Sequence, residues 1–337
     1  MKKKVVCVTG ASGFIGSCLV QLLLNRGYTV HATVQNLNEK KETEHLMALE
    51  RIDEERLKLF EMDLLNYPSI LAVVKGTHGV FHVASPNIIT QVEHPEKELL
   101  EPAIEGTINV ITAAEEAGIE RVVVTSSSAA IIPSPCWPAD VPKSEACWTD
   151  EDYCRSKGLW YPVSKLCAEK AAWKVAGEKG IELVVVNPAA VLGPVLPPVL
   201  SASMAVMLGL LQGSTETYQD MYMGCVHVKD VAMAHILLYE NKSAAGRHLC
   251  CKDISHFSDL AAKVAQLYPQ YNVPRFPKDT QPGLLRKQNA GKKLMDLGLQ
   301  FTPIEEIIKD SIESLIKGGY ISSSGNYELP KSSKSAQ

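Results

Sequence analysis

No run of about eighteen uncharged apolar residues occurs in the 337-residue chain, which excludes a membrane-spanning helix of ordinary length. Nor does one charge dominate: 34 Lys and Arg stand against 38 Asp and Glu, a formal net charge of −4. That mild acidity offers no attraction to nucleic acid or to an anionic membrane surface. The nine cysteines include no C-x-x-C pair, and their odd number argues against a disulfide frame. Reduced thiols in the cytoplasm are the expectation. Internal repeats and low-complexity linkers are missing as well. What remains is 46% hydrophobic and 21% charged, long enough for one large α/β domain or a domain with a smaller lobe.

The opening MKKKVVCVTGASGFIGSCLVQLLL imitates a secretion signal, with lysines ahead of an apolar stretch. Glycines and a Thr-Gly-Ala-Ser turn interrupt that stretch, so no signal peptide is expected. Short β-branched runs then alternate with helical stretches: VVCVT (5–9), YTVHATV (28–34), LKLFEMD (57–63), GVFHVAS (79–85), RVVVTSS (121–127) and ELVVVNP (182–188). Apolar runs of this kind suit a parallel sheet covered by helices on both faces. The crossovers make it a doubly wound α/β sheet of Rossmann type. After Pro188, prolines and glycines surround one short apolar helix. VHVKDVAMAHILLYE (226–240) then reads as a return to the sheet, with Asp230 capping a helix. The expected organisation is a dinucleotide-binding part (1–188 and 225–242), a smaller discontinuous α/β substrate lobe (189–224 and 243–330) and a flexible tail (331–337).

Gly10, Gly13 and Gly16 follow the first strand directly and open its helix. The spacing G-x-x-G-x-x-G departs from the usual dinucleotide pattern, but its physics is the same. Glycine allows the tight turn and lets the backbone approach a pyrophosphate seated on the helix N-terminus. An NAD site usually places an acid about 20 residues further on, to hold the ribose diol. Here the second strand ends in Val34-Gln35-Asn36, and Lys40 and Lys41 follow within reach of a 2′-phosphate. NADP is favoured, a solvated helix start being the other reading of the lysines. In LWYPVSK, Tyr161 and Lys165 stand four apart in the first turns of a helix that starts around Pro162 and stops near Gly180. Residues so spaced share one face, so a phenol and an ammonium can meet the same ligand.

TGASGFIG, Asp63-Leu64, FHVASP (81–86), VVVTSS (122–127), CWTDEDYC (147–154), YPVSK and VVNPAAVLGP (185–194) together resemble the extended short-chain dehydrogenase/reductases. The similarity runs in order from about residue 4 to 320, and its nearest branch is the plant cinnamoyl-CoA reductase and dihydroflavonol reductase group. The resemblance implies a catalytic set of Ser127, Tyr161 and Lys165. Tyr161 protonates the carbonyl oxygen, and Lys165 favours the phenolate and hydrogen-bonds the nicotinamide ribose. Ser127, at the rim of the fifth strand, holds the substrate oxygen, with Ser126 and Ser128 as alternatives. It further implies an NADP site of Gly10, Ser12, Gly13, Phe14, Ile15, Gly16, Gln35, Lys41, Asp63, Leu64, Val83, Ala84, Ser85, Tyr161, Lys165, Pro188, Val191 and Ser203. The expected partner is a small-molecule carbonyl substrate of plant specialised metabolism, with no metal and with the oligomeric state left open.

Departures from the group bear on the substrate. Cinnamoyl-CoA reductases carry N-W-Y-C-Y-G-K around the tyrosine, and a His and a Lys three apart in the helix after the proline-rich loop. Here those two places are Val206 and Gly209. Dihydroflavonol reductases set an Asn five residues after the serine, where this chain has Ile132. The expectation is therefore an NADPH-dependent reductase of an apolar, aromatic aldehyde or ketone. The alternatives are a hydroxycinnamoyl-CoA thioester as substrate, held through Arg247 and Lys252, and a non-catalytic sensor or scaffold. His78 and His82, four apart, read as packing rather than a metal pair. Met204, Met207, Met221, Met223 and Tyr222 are candidates for an apolar pocket. Cys147 and Cys154 could bridge if their segment is not helical.

Overall fold

The computed structural model describes residues 4–49, 56–86, 93–138, 141, 143–213, 221–274 and 287–324. The tail expected at 331–337 lies outside them. Among the described residues ten strands run in chain order as β1 (Val5–Thr9), β2 (Thr29–Val34), β3 (Leu57–Glu61), β4 (Val80–His82), β5 (Arg121–Thr125), β6 (Glu182–Pro188), β7 (Ala190–Leu192), β8 (Tyr222–His227), β9 (Gly246–Cys250) and β10 (Ile254–His256). The helices are α1 (Phe14–Asn25), α2 (Lys40–Met47), α3 (Tyr67–Val74), α4 (Glu101–Glu116), α5 (Glu151–Ser156), α6 (Trp160–Lys179), α7 (Ala202–Leu211), α8 (Val228–Glu240), α9 (Phe257–Leu267), α10 (Lys292–Asp296) and α11 (Ile304–Lys317).

Seven strands form one parallel sheet in the order β3-β2-β1-β4-β5-β6-β9. Side chains alternate between its faces, as the pleat demands. Val6, Val8, Val123, Val184 and Val186 enter the core beneath α1 and α8. Their neighbours Cys7, Val122, Val124, Leu183 and Val185 enter a second core beneath α3, α4 and α6. Burial on both faces explains why these strands read as continuous apolar runs. Between β1 and β4 the strand order reverses, and at such a point the carboxyl ends of the strands leave a crevice.

A second sheet of three strands is ordered β10-β8-β7, and Ala190 and Val191 of β7 line that crevice. This corrects the reading of 226–240 as a return to the large sheet. The strand containing Val226 pairs with β7 and β10 in the small sheet, while the seventh strand of the large sheet is β9, from the stretch assigned to the substrate lobe. The reason is chemical. GRHLC carries an arginine and a histidine, which hide its burial; both are buried because partners await them. Asp230 is not the cap of α8 either. His227 caps it, and Asp230 accepts from Thr302 N and Oγ1 at 2.8 and 2.9 Å, tying α8 to the chain ahead of α11.

Candidate active site

At the start of α1 the glycines meet steric limits. Gly10 has φ +66°, and a Cβ there would lie 2.8 Å from Ala84 Cα. On Gly16 a Cβ would fall 2.1 Å from the Gly10 carbonyl oxygen. Gly13 caps the helix with no side chain across its amides, which leaves the N-terminal N–H groups facing the crevice. A negatively charged pyrophosphate fits this cradle.

Beneath the cradle, Thr9 Oγ1 accepts from Val83 N and Ala84 N at 3.0 and 3.1 Å. Its own proton goes to His82 Nδ1 at 2.9 Å, and His82 Nε2 donates to Thr107 Oγ1 at 3.3 Å. Thr107 spends its proton on the Ala103 carbonyl, which sets the histidine tautomer. Burial first, and the Lys165 charge second, push His82 down to about 3. His78, by contrast, hydrogen-bonds the Val5 backbone. Among the described residues no group of three or more His, Cys, Asp or Glu is placed to hold a metal ion.

Ser127, Tyr161 and Lys165 line the same crevice. β5 runs out into Ser126-Ser127, and a 3₁₀ turn (Ser128–Ala130) follows; Ser127 Oγ accepts from Ala129 N at 3.1 Å. Tyr161 and Lys165 come from the first two turns of α6, which ends at Gly180 in the left-handed region, φ +70°. Lys165 is buried, its Nζ 5.7 Å from the Tyr161 ring centre. Ser126 differs from its neighbour in that its hydroxyl donates to Glu169 Oε2 at 2.6 Å.

Glu169 anchors a buried network behind the serines. It receives Asn187 Nδ2 at 2.9 Å and Arg247 Nε at 2.6 Å, and the same Asn187 nitrogen donates to the Ser127 carbonyl at 3.2 Å. Arg247 spends its remaining donors on the carbonyls of Glu145, Cys147 and Ala130 and stacks 3.8 Å over the Trp148 ring. A guanidinium so engaged has nothing left for a CoA phosphate. Lys252 lies elsewhere, in a separate cavity of about 310 Å³ with Lys263 and Glu305. The two groups named as alternative CoA holders therefore do not reach the crevice.

The crevice itself holds about 810 Å³. Its wall includes Gly10, Ser12, Gly13, Phe14, Ile15, Gly16, Gln35, Asp63, Leu64, Val83, Ala84, Ser85, Ser127, Tyr161, Lys165, Pro188, Val191 and Ser203. Every residue expected around the cofactor stands there except Lys41, which is exposed on α2. Folding also brings in what the sequence order conceals. Although no acid ends β2, Glu42 from α2 receives Gln35 N at 2.6 Å and Glu61 from β3 receives Leu37 N at 3.2 Å. Glu98 and Pro102, from the start of the α4 region, line the wall as well. Met204 and Met207 are buried in the core rather than in the crevice. Cys147 and Cys154 are free, buried thiols, and Cys154 sits within helix α5.

Two buried histidines are expected to make the fold acid-sensitive. His235 donates from Nδ1 to the Val231 carbonyl at 2.7 Å and accepts from Thr125 at 2.6 Å, and burial lowers it to about 4. An unfolded chain protonates each imidazole near 6.5, the folded one only near 3 or 4. Through that interval the unfolded state binds more protons, so stability falls as pH falls, by about 1.4 kcal/mol per pH unit for each histidine. Urea unfolding at pH 7, 6 and 5 measures the slope. A flat profile would mean that the imidazoles take up protons inside the fold.

The chain matches the NAD dependent epimerase/dehydratase family over residues 6–250. It is 46% identical over 314 residues to cinnamoyl-CoA reductase CAD2 of Medicago truncatula, covering 92% of this chain and 95% of that protein. Among solved structures it resembles vestitone reductase from alfalfa, with a TM-score of 0.80, 31% identity and coverage of 95% and 100% of the two chains. The yeast methylglyoxal/isovaleraldehyde reductase Gre2, complexed with NADPH, has a TM-score of 0.79, 25% identity and coverage of 94% and 99%.

Proposed function

The chain belongs to the NAD dependent epimerase/dehydratase family, within the extended short-chain dehydrogenase/reductases of the cinnamoyl-CoA and dihydroflavonol reductase group, and from that premise we propose an NADPH-dependent reductase of free aromatic aldehydes or ketones. The observation that carries the reading is that Ser127, Tyr161 and Lys165 line the same crevice as the glycine cradle. Gly10, Gly13 and Gly16 would hold the pyrophosphate, and Lys165 would hold the nicotinamide ribose. When bound, the reduced nicotinamide supplies the hydride.

The remaining chemistry belongs to the chain. Ser127 donates to the substrate carbonyl oxygen and orients it. Tyr161 delivers a proton to that oxygen as negative charge develops on it. The buried Lys165 ammonium stabilises the phenolate left behind. Glu169 and Asn187 keep the Ser126-Ser127 backbone in place. Gre2, of the same fold, is named for two free aldehydes and was seen with NADPH, which supports both halves of the reading.

α7 argues for a substrate without a CoA handle. Ser203 lines the crevice; Val206 and Gly209, one and two turns further along α7, stand outside its wall, Val206 packed against the core, at the places where cinnamoyl-CoA reductases carry cationic groups. Two lost charge-assisted hydrogen bonds, at roughly 1.5–3 kcal/mol each, amount to at least about a hundredfold in kcat/KM. With aryl groups matched and NADPH fixed, a free cinnamaldehyde-type aldehyde is expected to exceed the CoA ester by that factor. The 46% identity to a cinnamoyl-CoA reductase favours the second reading, a hydroxycinnamoyl-CoA thioester, and preference for the thioester in this assay would establish it instead.

A further inference from the structure

Three consecutive backbone N–H groups after β2 all point at carboxylates. Gln35 N donates to Glu42 Oε2 at 2.6 Å, Asn36 N to the same oxygen at 3.4 Å, and Leu37 N to Glu61 Oε2 at 3.2 Å. The first two converge on one carboxylate oxygen, and successive amides so directed suit phosphate oxygens as well as carboxylates. Gln35 lines the crevice at the strand end where a Rossmann fold receives the adenosine ribose. The 2′-phosphate of NADP projects from that ribose. Glu42 therefore sits on the donors that this phosphate would use. Of the lysines nearby, Lys40 lies 3.5 Å from Glu44, and Lys41 is exposed on α2.

We propose that Glu42 is an internal competitor of the cofactor 2′-phosphate and so sets the degree to which the chain prefers NADPH to NADH. The inference rests on the cofactor reading made under Proposed function. A 2′-phosphate can take Gln35 N and Asn36 N only if the Glu42 carboxylate leaves them, and a carboxylate that stayed would repel it. A ribose diol demands neither, since its hydroxyls can donate to the carboxylate. Discrimination between the two cofactors thus passes through one side chain on α2. Glu42→Gln removes the charge and keeps an oxygen able to accept from Gln35 N.

Calorimetric titration of the full chain with adenosine 2′,5′-bisphosphate and with adenosine 5′-monophosphate tests this. Neither probe contains nicotinamide, so failure here is separate from failure of the reductase reading, which NADPH oxidation reports. Glu42→Gln is expected to tighten the bisphosphate about tenfold, while the monophosphate stays within about twofold. The gain should shrink above about 0.5 M salt, where exposed charges are screened. Glu42→Ala, which also frees the amides, should behave alike and guards against a local effect of glutamine. If both variants leave the bisphosphate within about twofold of wild type, weaken it, or tighten the two probes equally, the proposal is overturned.

Discussion

Phenylalanine at position 161 is expected to lower kcat by about 10²–10⁴-fold while NADPH binds within roughly threefold of wild type, since only a transferable proton is lost. The ring still fills its place at the start of α6, and Lys165 keeps its buried position beside it. Stopped-flow or steady-state NADPH oxidation gives the rate, and fluorescence titration gives the binding. A variant that kept more than about a tenth of the rate would remove Tyr161 from the role of general acid. A variant that lost rate and cofactor binding together would point to a structural part for the hydroxyl.

The second large effect concerns stability. Arg247→Met leaves the Glu169 carboxylate inside the protein without its cation and strips donors from the buried carbonyls of Ala130 and Cys147 and the part-buried one of Glu145. Breaking one side of a buried ion pair costs about 3–5 kcal/mol, because the remaining charge has no water to return to. Urea unfolding should show a loss of that size with the slope unchanged. Pairing it with Glu169→Gln should return part of the loss, since a neutral amide tolerates the site better than an orphaned charge. A single-variant loss below about 1 kcal/mol would mean that Ser126, Asn187 and Trp173 satisfy Glu169 unaided.

The central strands were legible because each is apolar on both faces, and the glycine loop because only glycine survives where a Cβ would strike Ala84 or the Gly10 carbonyl. That Tyr161 and Lys165 share one face of α6 was legible through helical spacing, a local property; the role proposed for them came from the family resemblance. β9 was not. Its arginine and histidine look like surface residues until Glu169, 78 positions earlier in the chain, is placed against Arg247. Glu42 shows the same limit in reverse. It lies seven residues past Gln35, and only the turn between β2 and α2 folds its carboxylate back onto the strand end. Charge read in sequence order favoured the lysines there, whereas backbone amides, which sequence does not display, attracted the acid.

β6 passes the chain to the small sheet across a single residue, Ala189, whose N–H is held by the Cys250 carbonyl at 3.3 Å. β8 returns it without a spacer into α8, and β9 and β10 exchange it once more. Stitches this short leave no slack for a graft. A relative's small sheet could not be transplanted as a cassette, because its seams at Ala189, at His227 and after Cys250 would all have to match at once. Diversification in such a scaffold proceeds one side chain at a time, and a directed-evolution library for new substrates belongs on α7 and the stretch leading into it, where Ser201, Ala202 and Ser203 face the crevice while the sewn margins stay untouched.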